Sequence, residues 1–235
     1  MIKKQVIVGK NLFINCGNNY NLTDEEHKES SQLLKALEGL FNKAYDAIYK
    51  FAADNNLTFF NTHIFKAKHF LEYLPKYSTI DGQYYDFTNH IVIYRYCDLK
   101  GTKYNPFEHL DNLYSTIIHE LLHMSFTNVL ETGLSKNNKT IPIKTIVGTN
   151  CIRDFTKDKR SGKNKRKRYE LDEMLVDYLS YIIAGREYKP RKDNYRTIIN
   201  QLNLPIIWKA LKEHKPNLIF NKIDNFEAIC KSFNS

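Results

Sequence analysis

Apolar residues recur at three- and four-residue steps through residues 33–51, which is the spacing of one buried helix face. Thr23, with Glu26 three positions later, forms a capping-box pattern that would begin this helix. The pattern therefore predicts a long amphipathic helix that ends at about Asp54. Residues 5–14, before it, alternate loosely and predict a short strand.

Four shorter segments after this helix have the alternation, or the β-branched and aromatic content, of strands. Residues 57–60 and 63–66 have the weaker strand patterns. Residues 83–87 and 90–96, joined by the polar pair Thr88-Asn89, predict a β-hairpin. The second arm has the strongest strand pattern in the chain. It is expected either as a sheet edge along which an extended peptide pairs or as plain sheet core.

A second helix is predicted to begin at Asn105-Pro106, because asparagine caps helices and proline fits the first helical position. It would run to about Glu131, with Gly133 ending it. Residues 135–150 have no long periodic pattern and predict a loop that contains a short strand or turn at residues 141–147.

Helical periodicity dominates the rest of the chain. One helix is predicted over residues 171–184, closed by Gly185, and two or three shorter helices follow from Asn194. The order of helix, strands and then helices alone predicts an α+β fold in one domain, since 235 residues can form a single core. Its helix-and-sheet part would cover residues 1–133 and its helical part residues 169–235.

The second predicted helix contains His119-Glu120-Leu-Leu-His123, an H-E-x-x-H pattern. Residues four apart lie on the same helix face, so the imidazoles of His119 and His123 can reach one metal ion. Glu120 is turned by about 100° from His119, which places it beside the ion, where it can take a proton from a water molecule. Composition alone predicts only about 0.015 such matches in the chain, so coincidence is a poor explanation.

The helical wheel around this motif shows a polar wedge in an otherwise apolar helix. Ser115, Thr116 and the three motif residues share the wedge, and the other faces carry leucine, isoleucine and methionine. A helix that is apolar on most sides is buried, and a buried polar wedge needs partners. A zinc ion satisfies this requirement. Two core histidines hydrogen-bonded to their neighbours are the alternative.

The third predicted helix offers the further protein ligand that a catalytic zinc site needs. Glu173 and Asp177 lie four residues apart on one face of a helix whose other faces are apolar, and carboxylates in such a segment need partners. The metzincin pattern is absent, since neither its glycine nor its third histidine stands at the required spacing. Asp154 is a weaker candidate ligand, and surface salt bridges are the alternative role of the pair.

The two motifs together resemble the gluzincins, the zinc metallopeptidases of which thermolysin is the best known. H-E-x-x-H is followed about fifty residues later by E-x-x-x-D on a second buried helix, and a strong strand precedes the first helix. The match covers roughly residues 83–185. The resemblance implies one zincin-like domain with a small mixed or antiparallel sheet and an active-site helix, and a zinc metallopeptidase acting on peptide or protein substrates.

Carried over by position, the resemblance implies that His119, His123 and Glu173 bind one Zn²⁺ and that Glu120 is the general base. Asp177 would orient a ligand histidine from outside the coordination sphere. An arrangement with Asp177 as the ligand and Glu173 in support is a less favoured variant.

Peptide hydrolysis also needs a donor for the developing oxyanion. Tyr188, Tyr195 and His214, and also Tyr181, lie downstream of the third ligand, where gluzincins commonly supply such a donor. The sequence does not choose among them. One departure from the family pattern is Asp172, which stands where thermolysin has asparagine.

The chain is basic, with 35 Lys+Arg against 26 Asp+Glu and a formal charge of +9. Residues 157–168 hold eight basic residues and one acid, a net +7, so the rest of the chain carries only +2. A polar run of this kind predicts a flexible solvated loop. The alternative function is a nucleic-acid or anionic-partner binding protein on an inactive zinc-binding scaffold, which the lack of interleaved aromatic residues disfavours.

Four scattered cysteines without a C-x-x-C pair argue against a zinc ribbon and against a disulfide-rich secreted scaffold. No N-terminal apolar run has the length of a standard signal peptide, and no stretch approaches the eighteen or so apolar residues of a transmembrane helix. We therefore expect a cytoplasmic protein without a membrane partner. The sequence gives no indication of the oligomeric state.

Overall fold

The structure, a computed structural model, describes residues 5–7, 12–16, 24–58, 68–74, 82–86, 89–96, 110–134, 140–149, 151–154, 163–190 and 193–224. In chain order the elements are β1 (Gln5–Ile7), β2 (Leu12–Cys16), α1 (Asp24–Asp54), β3 (Lys68–Leu74), β4 (Gly82–Tyr85), β5 (His90–Tyr96), α2 (Leu110–Ser125), β6 (Thr127–Leu134), β7 (Thr140–Val147), β8 (Cys151–Asp154), α3 (Lys163–Ile183), α4 (Asp193–Asn200), α5 (Leu204–Lys212) and α6 (Asn217–Phe220).

Two separate sheets lie on either side of α2 in the chain. The first is a mixed five-stranded sheet in the order β1-β2-β3-β5-β4, in which β2, β3 and β5 are parallel and the two outer strands are antiparallel to their neighbours. The second is the antiparallel sheet β6-β7-β8. Together with the helices they form an α+β fold, as the sequence predicts.

One hydrophobic core joins the long helices to the first sheet. On α1 the buried positions follow the predicted helical spacing, and the residues that line this face are Leu37, Phe41, Ala44, Ile48 and Ala52. They pack in the same cluster as the apolar faces of α2 and α3, the inward side chains of β4 and β5, and the C-terminal helices. None of the described helices combines the length and the apolarity needed to cross a lipid bilayer.

The predicted hairpin is confirmed, and its place in the sheet decides between the two alternatives for its second arm. Tyr84 pairs with Ile91 and Tyr85 with His90 in antiparallel register. However, β5 lies between β3 and β4, so the strongest strand is an interior strand and β4 is the edge in the described part of the sheet. A strand so rich in apolar residues suits an interior position, because its two faces are both covered.

Helix α2 ends at Ser125, six residues before the predicted end at Glu131. The Phe126 amide still donates to the Leu122 carbonyl, at 3.0 Å, and the Thr127 hydroxyl then donates to the His123 carbonyl, at 2.7 Å. The chain continues directly into β6, where β-branched residues pair with β7. The predicted start at Asn105-Pro106 lies outside the described residues.

Helix α3 begins at Lys163, so the second half of the basic run 157–168 is helical rather than loop. Lysine and arginine are good helix formers, which explains why this segment extends the helix predicted from residue 171. Residues 157–162 lie outside the described part of the chain. At the other end Gly185 follows the helix with φ of 71°, in agreement with its predicted role as a stop.

Three further strand predictions have mixed outcomes. Residues 57–58 are not in a strand, and residues 59–60 and 63–66 lie outside the described ranges. The predicted strand at 141–147 is present as β7. Strands β3 and β8 were not predicted, since neither has a clear apolar alternation.

Candidate metal centre

Helices α2 and α3 pack antiparallel, and polar contacts mark their alignment. His123 meets Glu173, and one turn further along both helices His119 meets Asp177. At the far end Arg186, just beyond α3, donates hydrogen bonds to the first turns of α2. The antiparallel alignment therefore brings the two histidines of one helix opposite the two carboxylates of the other.

The ligand atoms of three of these residues converge on one point. The Nε2 atoms of His119 and His123 are 3.0 Å apart, and they lie 3.3 and 3.2 Å from the Glu173 carboxylate oxygens. A tetrahedral zinc ion with ligands at about 2.0–2.1 Å sets neighbouring ligand atoms about 3.3 Å apart. Each of the three separations is close to this value, with the two imidazoles nearest to different oxygens of Glu173, so the group could hold one metal ion. Three is also the number of protein ligands in a catalytic zinc site.

The histidines and Glu173 differ in their access to solvent. The two imidazoles are buried, whereas the Glu173 side chain remains 25% exposed. Of the three side chains, that of Glu173 therefore has the largest contact with solvent.

Asp177 fixes the orientation of one imidazole. Its Oδ1 lies 3.0 Å from Nδ1 of His119, so Nδ1 carries the proton and Nε2 points toward Glu173 and His123. A carboxylate behind a histidine in this way sets both the tautomer and the ring orientation of a metal ligand. The contact is the one that the sequence predicts for Asp177.

The ionisation of the site reflects the same contacts. Burial alone would lower the pKa of His119, but the hydrogen bonds with Asp177 and Glu173 outweigh burial and hold that pKa well above its usual value. Burial alone would raise the pKa of Glu173, but the charge of His123 and the hydrogen bonds from both imidazoles hold it far below its usual value. The two opposite shifts favour an ion pair between His119 and Glu173.

Glu120 lies beside the converging ligands rather than among them. It is buried, and its Oε2 accepts a hydrogen bond from the Tyr84 amide of β4 at 2.6 Å. Burial raises the pKa of its carboxyl, and the charges of His119 and His123 partly offset that rise. A carboxylate whose pKa is raised is a stronger proton acceptor than an ordinary glutamate.

Asp172, next to Glu173, anchors α3 to the β7–β8 turn. Its Oδ1 accepts from the Thr149 amide at 2.7 Å and from the Thr149 hydroxyl. Its Oδ2 is buried and has no hydrogen-bond partner among the described residues. Burial raises the pKa of Asp172 to about 6, although both bonds from Thr149 oppose the rise. Asp154 lies in β8, where only the backbone is described.

The candidate oxyanion donors have different surroundings. The Tyr188 ring packs edge-on against Tyr178 and Tyr181, and Tyr195 is buried in the core. His214 engages both ring nitrogens within the protein: Nδ1 lies 2.6 Å from the Gly148 carbonyl and Nε2 lies 2.8 Å from the side-chain amide of Asn128. In this arrangement His214 has no ring N–H to offer a substrate.

Three parts of the site were not predicted from the sequence. The amide of Tyr84 gives no signal, because every residue except proline carries one. Thr149 gives no signal either, because its bond to Asp172 spans 23 residues of sequence. Arg186 donates to the Ser115 hydroxyl at 2.9 Å and so satisfies a polar group of the wedge on α2.

Comparison with known proteins adds no identification. No protein-family model, no curated protein and no solved structure matches the chain.

Proposed function

We propose that this protein is a zinc-dependent metallopeptidase that hydrolyses bonds in peptides or proteins. The observation that carries the proposal is the convergence of His119 Nε2, His123 Nε2 and the Glu173 carboxylate at the spacing of a zinc tetrahedron, with Glu120 buried beside them. The sequence resemblance to gluzincins, described above, points to the same three ligands and the same base.

Each residue of the site has a chemical task in this proposal. His119, His123 and Glu173 hold one Zn²⁺, which when bound supplies Lewis acidity toward a water molecule and a carbonyl oxygen. Glu120 accepts the proton of the attacking water and delivers it to the leaving nitrogen. Asp177 keeps His119 in the tautomer whose Nε2 can bind metal.

The five-stranded sheet supports the proposal of a zincin-like fold. Its edge strand β4 is antiparallel to β5, lies beside α2, and contacts the general base through Tyr84. An extended peptide can add to such an edge through main-chain hydrogen bonds. We propose β4 as the strand that aligns a substrate, since β5 is an interior strand.

The test begins with metal content and activity measured on the same preparation. Protein loaded with zinc should contain one ion per chain by elemental analysis and should cleave members of a mixed peptide library, detected by mass spectrometry. Glu120→Gln should keep the zinc and lower kcat by about 10²–10⁴-fold, the usual contribution of a general base. Glu38→Gln, an exposed glutamate on α1, is the matched control and should be fully active.

Two results would refute the proposal. One is a protein that binds no zinc when His119, His123 and Glu173 are intact. The other is hydrolysis whose rate is the same in wild type and in Glu120→Gln. Removal of the metal with a chelator should abolish the activity, and addition of zinc should restore it.

A second candidate function rests on the start of α3. Five of its first six residues, Lys163–Arg168, are basic, and its first turn has no acid, which opposes the helix dipole. Such a segment suits an anionic partner such as a nucleic acid. Binding of RNA or DNA that weakens steeply with salt and is lost when these five residues are changed to glutamine supports this role, and binding unaffected by the change refutes it.

A further inference from the structure

The general base is held by the backbone of a strand. Oε2 of Glu120 accepts from the Tyr84 amide at 2.6 Å, and both groups are buried. A backbone amide cannot turn aside as a side chain can. The position of β4 relative to α2 therefore determines where the Glu120 carboxylate lies.

Gly82 of β4 lies directly against the side chains of α2. A Cβ atom placed on it would lie 2.9 Å from Cγ2 of Thr116, 3.2 Å from Cδ1 of Ile93 and 3.4 Å from Cγ of Glu120. Residues two apart on a strand face the same side, so Gly82 and Tyr84 both face the helix. The close approach of strand and helix thus depends on the missing side chain at position 82.

Thr116 cannot easily give way to a larger residue there. Its hydroxyl donates to the Asn112 carbonyl at 3.0 Å, and this bond fixes the rotamer that directs its methyl group at Gly82. The β-branched side chain has few other rotamers in a helix. Ile93, on the other side of the gap, is fully buried.

We propose that Gly82 is a positioning residue for Glu120, an inference that rests on the peptidase function proposed above. A methyl group at position 82 would separate β4 from α2 or displace Glu120, and either change would misalign the carboxylate with the attacking water. A misplacement of about 1 Å in a catalytic group can cost about 10²-fold in rate. The three atoms nearest to the added methyl group belong to Thr116, Ile93 and Glu120 and not to a proposed metal ligand, so zinc content should stay close to that of wild type.

The experiment compares three variants of the zinc-loaded protein. Gly82→Ala should lower kcat by about 10–100-fold while KM and zinc content stay close to wild type. Thr116→Ser removes the methyl nearest to the gap and keeps the hydroxyl, so alone it should have nearly wild-type kcat. The double variant Gly82→Ala/Thr116→Ser should recover most of the lost kcat, because the added methyl then has room.

A second measurement separates positioning from general destabilisation. In a Glu120→Gln background the group being positioned is already absent, so Gly82→Ala should cause no further loss of kcat. A structural defect would lower the residual activity again. If Gly82→Ala does not yield folded protein, Thr116→Ile crowds the same gap from the helix side and should cause the same loss of kcat.

The outcomes distinguish this inference from the proposed function. Wild-type kcat in folded, zinc-loaded Gly82→Ala overturns the role of Gly82 and leaves the peptidase proposal intact. A folded double variant that stays as slow as Gly82→Ala also overturns it. Wild-type protein that binds zinc but cleaves no peptide overturns both.

Discussion

At the scale of single residues, His119 is the group whose protonation must change when a metal binds. Burial alone would lower its pKa, but Asp177 at 3.0 Å from Nδ1 and Glu173 at 3.3 Å from Nε2 hold the pKa well above its usual value. In the absence of a metal these contacts favour the doubly protonated form of His119 over a wider range of pH than in a free imidazole. Zinc must replace the proton on Nε2, since a metal ligand needs that lone pair.

We expect zinc binding at about pH 7 to release about one proton from His119. Isothermal titration calorimetry in buffers of different ionisation enthalpy measures this number directly. The apparent zinc affinity should also fall as the pH decreases, because protons compete with the metal for the ligand.

The matched variants for this measurement are Asp177→Asn and Asp111→Asn. Loss of the Asp177 carboxylate should lower the pKa of His119, decrease the number of protons released and weaken zinc binding by about 10–100-fold. Asp111→Asn should leave both proton release and zinc affinity unchanged, because Asp111 is exposed and contacts Arg186 through its main-chain carbonyl. Equal proton release from wild type and Asp177→Asn would show that Asp177 does not govern this ionisation.

The residue-scale part of the site was largely predictable where helical spacing applies. The i, i+4 pairs His119/His123 and Glu173/Asp177 need only a helix to share a face, and the structure brings the two pairs together. The backbone donor at Tyr84 could not be foreseen, because it depends on the register of a distant strand and not on a side chain.

At the scale of elements, the β7–β8 turn is packed tightly against α3. Gly148 has φ of 53°, and a Cβ on it would lie 2.6 Å from Cγ of Asp172. Asp172 is almost fully buried and is held by Thr149, so it cannot move aside. Only glycine combines this backbone conformation with this clearance.

Gly148→Ala should therefore destabilise the protein by more than Gly185→Ala. Both glycines have positive φ, which costs an alanine about 1–2 kcal/mol, but no atom lies within 4 Å of a Cβ at Gly185. Overlap with Asp172 should add about 1–3 kcal/mol at Gly148. Urea denaturation of the two variants gives the difference, and equal free energies of unfolding would refute the argument.

Element boundaries show where sequence patterns stop being sufficient. Helix α1 was predicted closely, because a capping box and a long periodic face act together at its start. The predicted end of α2 was wrong, because residues 127–134 form a strand whose backbone groups pair with β7. Local periodicity cannot reveal such a partner. Strand β3 was missed for the same reason, as its position comes from parallel pairing with β2 and β5.

At the scale of the whole molecule, the candidate metal site joins two helices of the core. His119 and His123 belong to α2 and Glu173 to α3, and both helices contribute to the same hydrophobic cluster. The α+β class followed from the order of elements in the sequence, whereas the strand order β1-β2-β3-β5-β4 did not, because nothing local specifies which strands are neighbours.

Without metal, the ion pairs of the site support the fold only within a window of pH. The folded-state pKa of His119 is raised, so its contribution is complete below the unfolded value of about 6.5 and is lost as the pH rises through the folded value. The pKa of Glu173 is lowered, so its contribution is complete above about pH 4.3 and is lost as the pH falls. The contacts between α2 and α3 are therefore strongest between these limits.

Bound zinc should increase the stability of the fold at alkaline pH, where the contribution of His119 to the ion pairs is lost. Since the ion binds the deprotonated ligands of the folded state, its stabilisation grows with pH and reaches about 2.7 kcal/mol at a free concentration of one hundred times Kd. In a protein of this size that corresponds to a rise in Tm of about 5–10 °C. Thermal unfolding with and without zinc should show a small shift at about pH 5.5 and a large one at about pH 8. A shift that is equal at both pH values, or that persists in His123→Ala, would mean that the stabilising ion binds elsewhere.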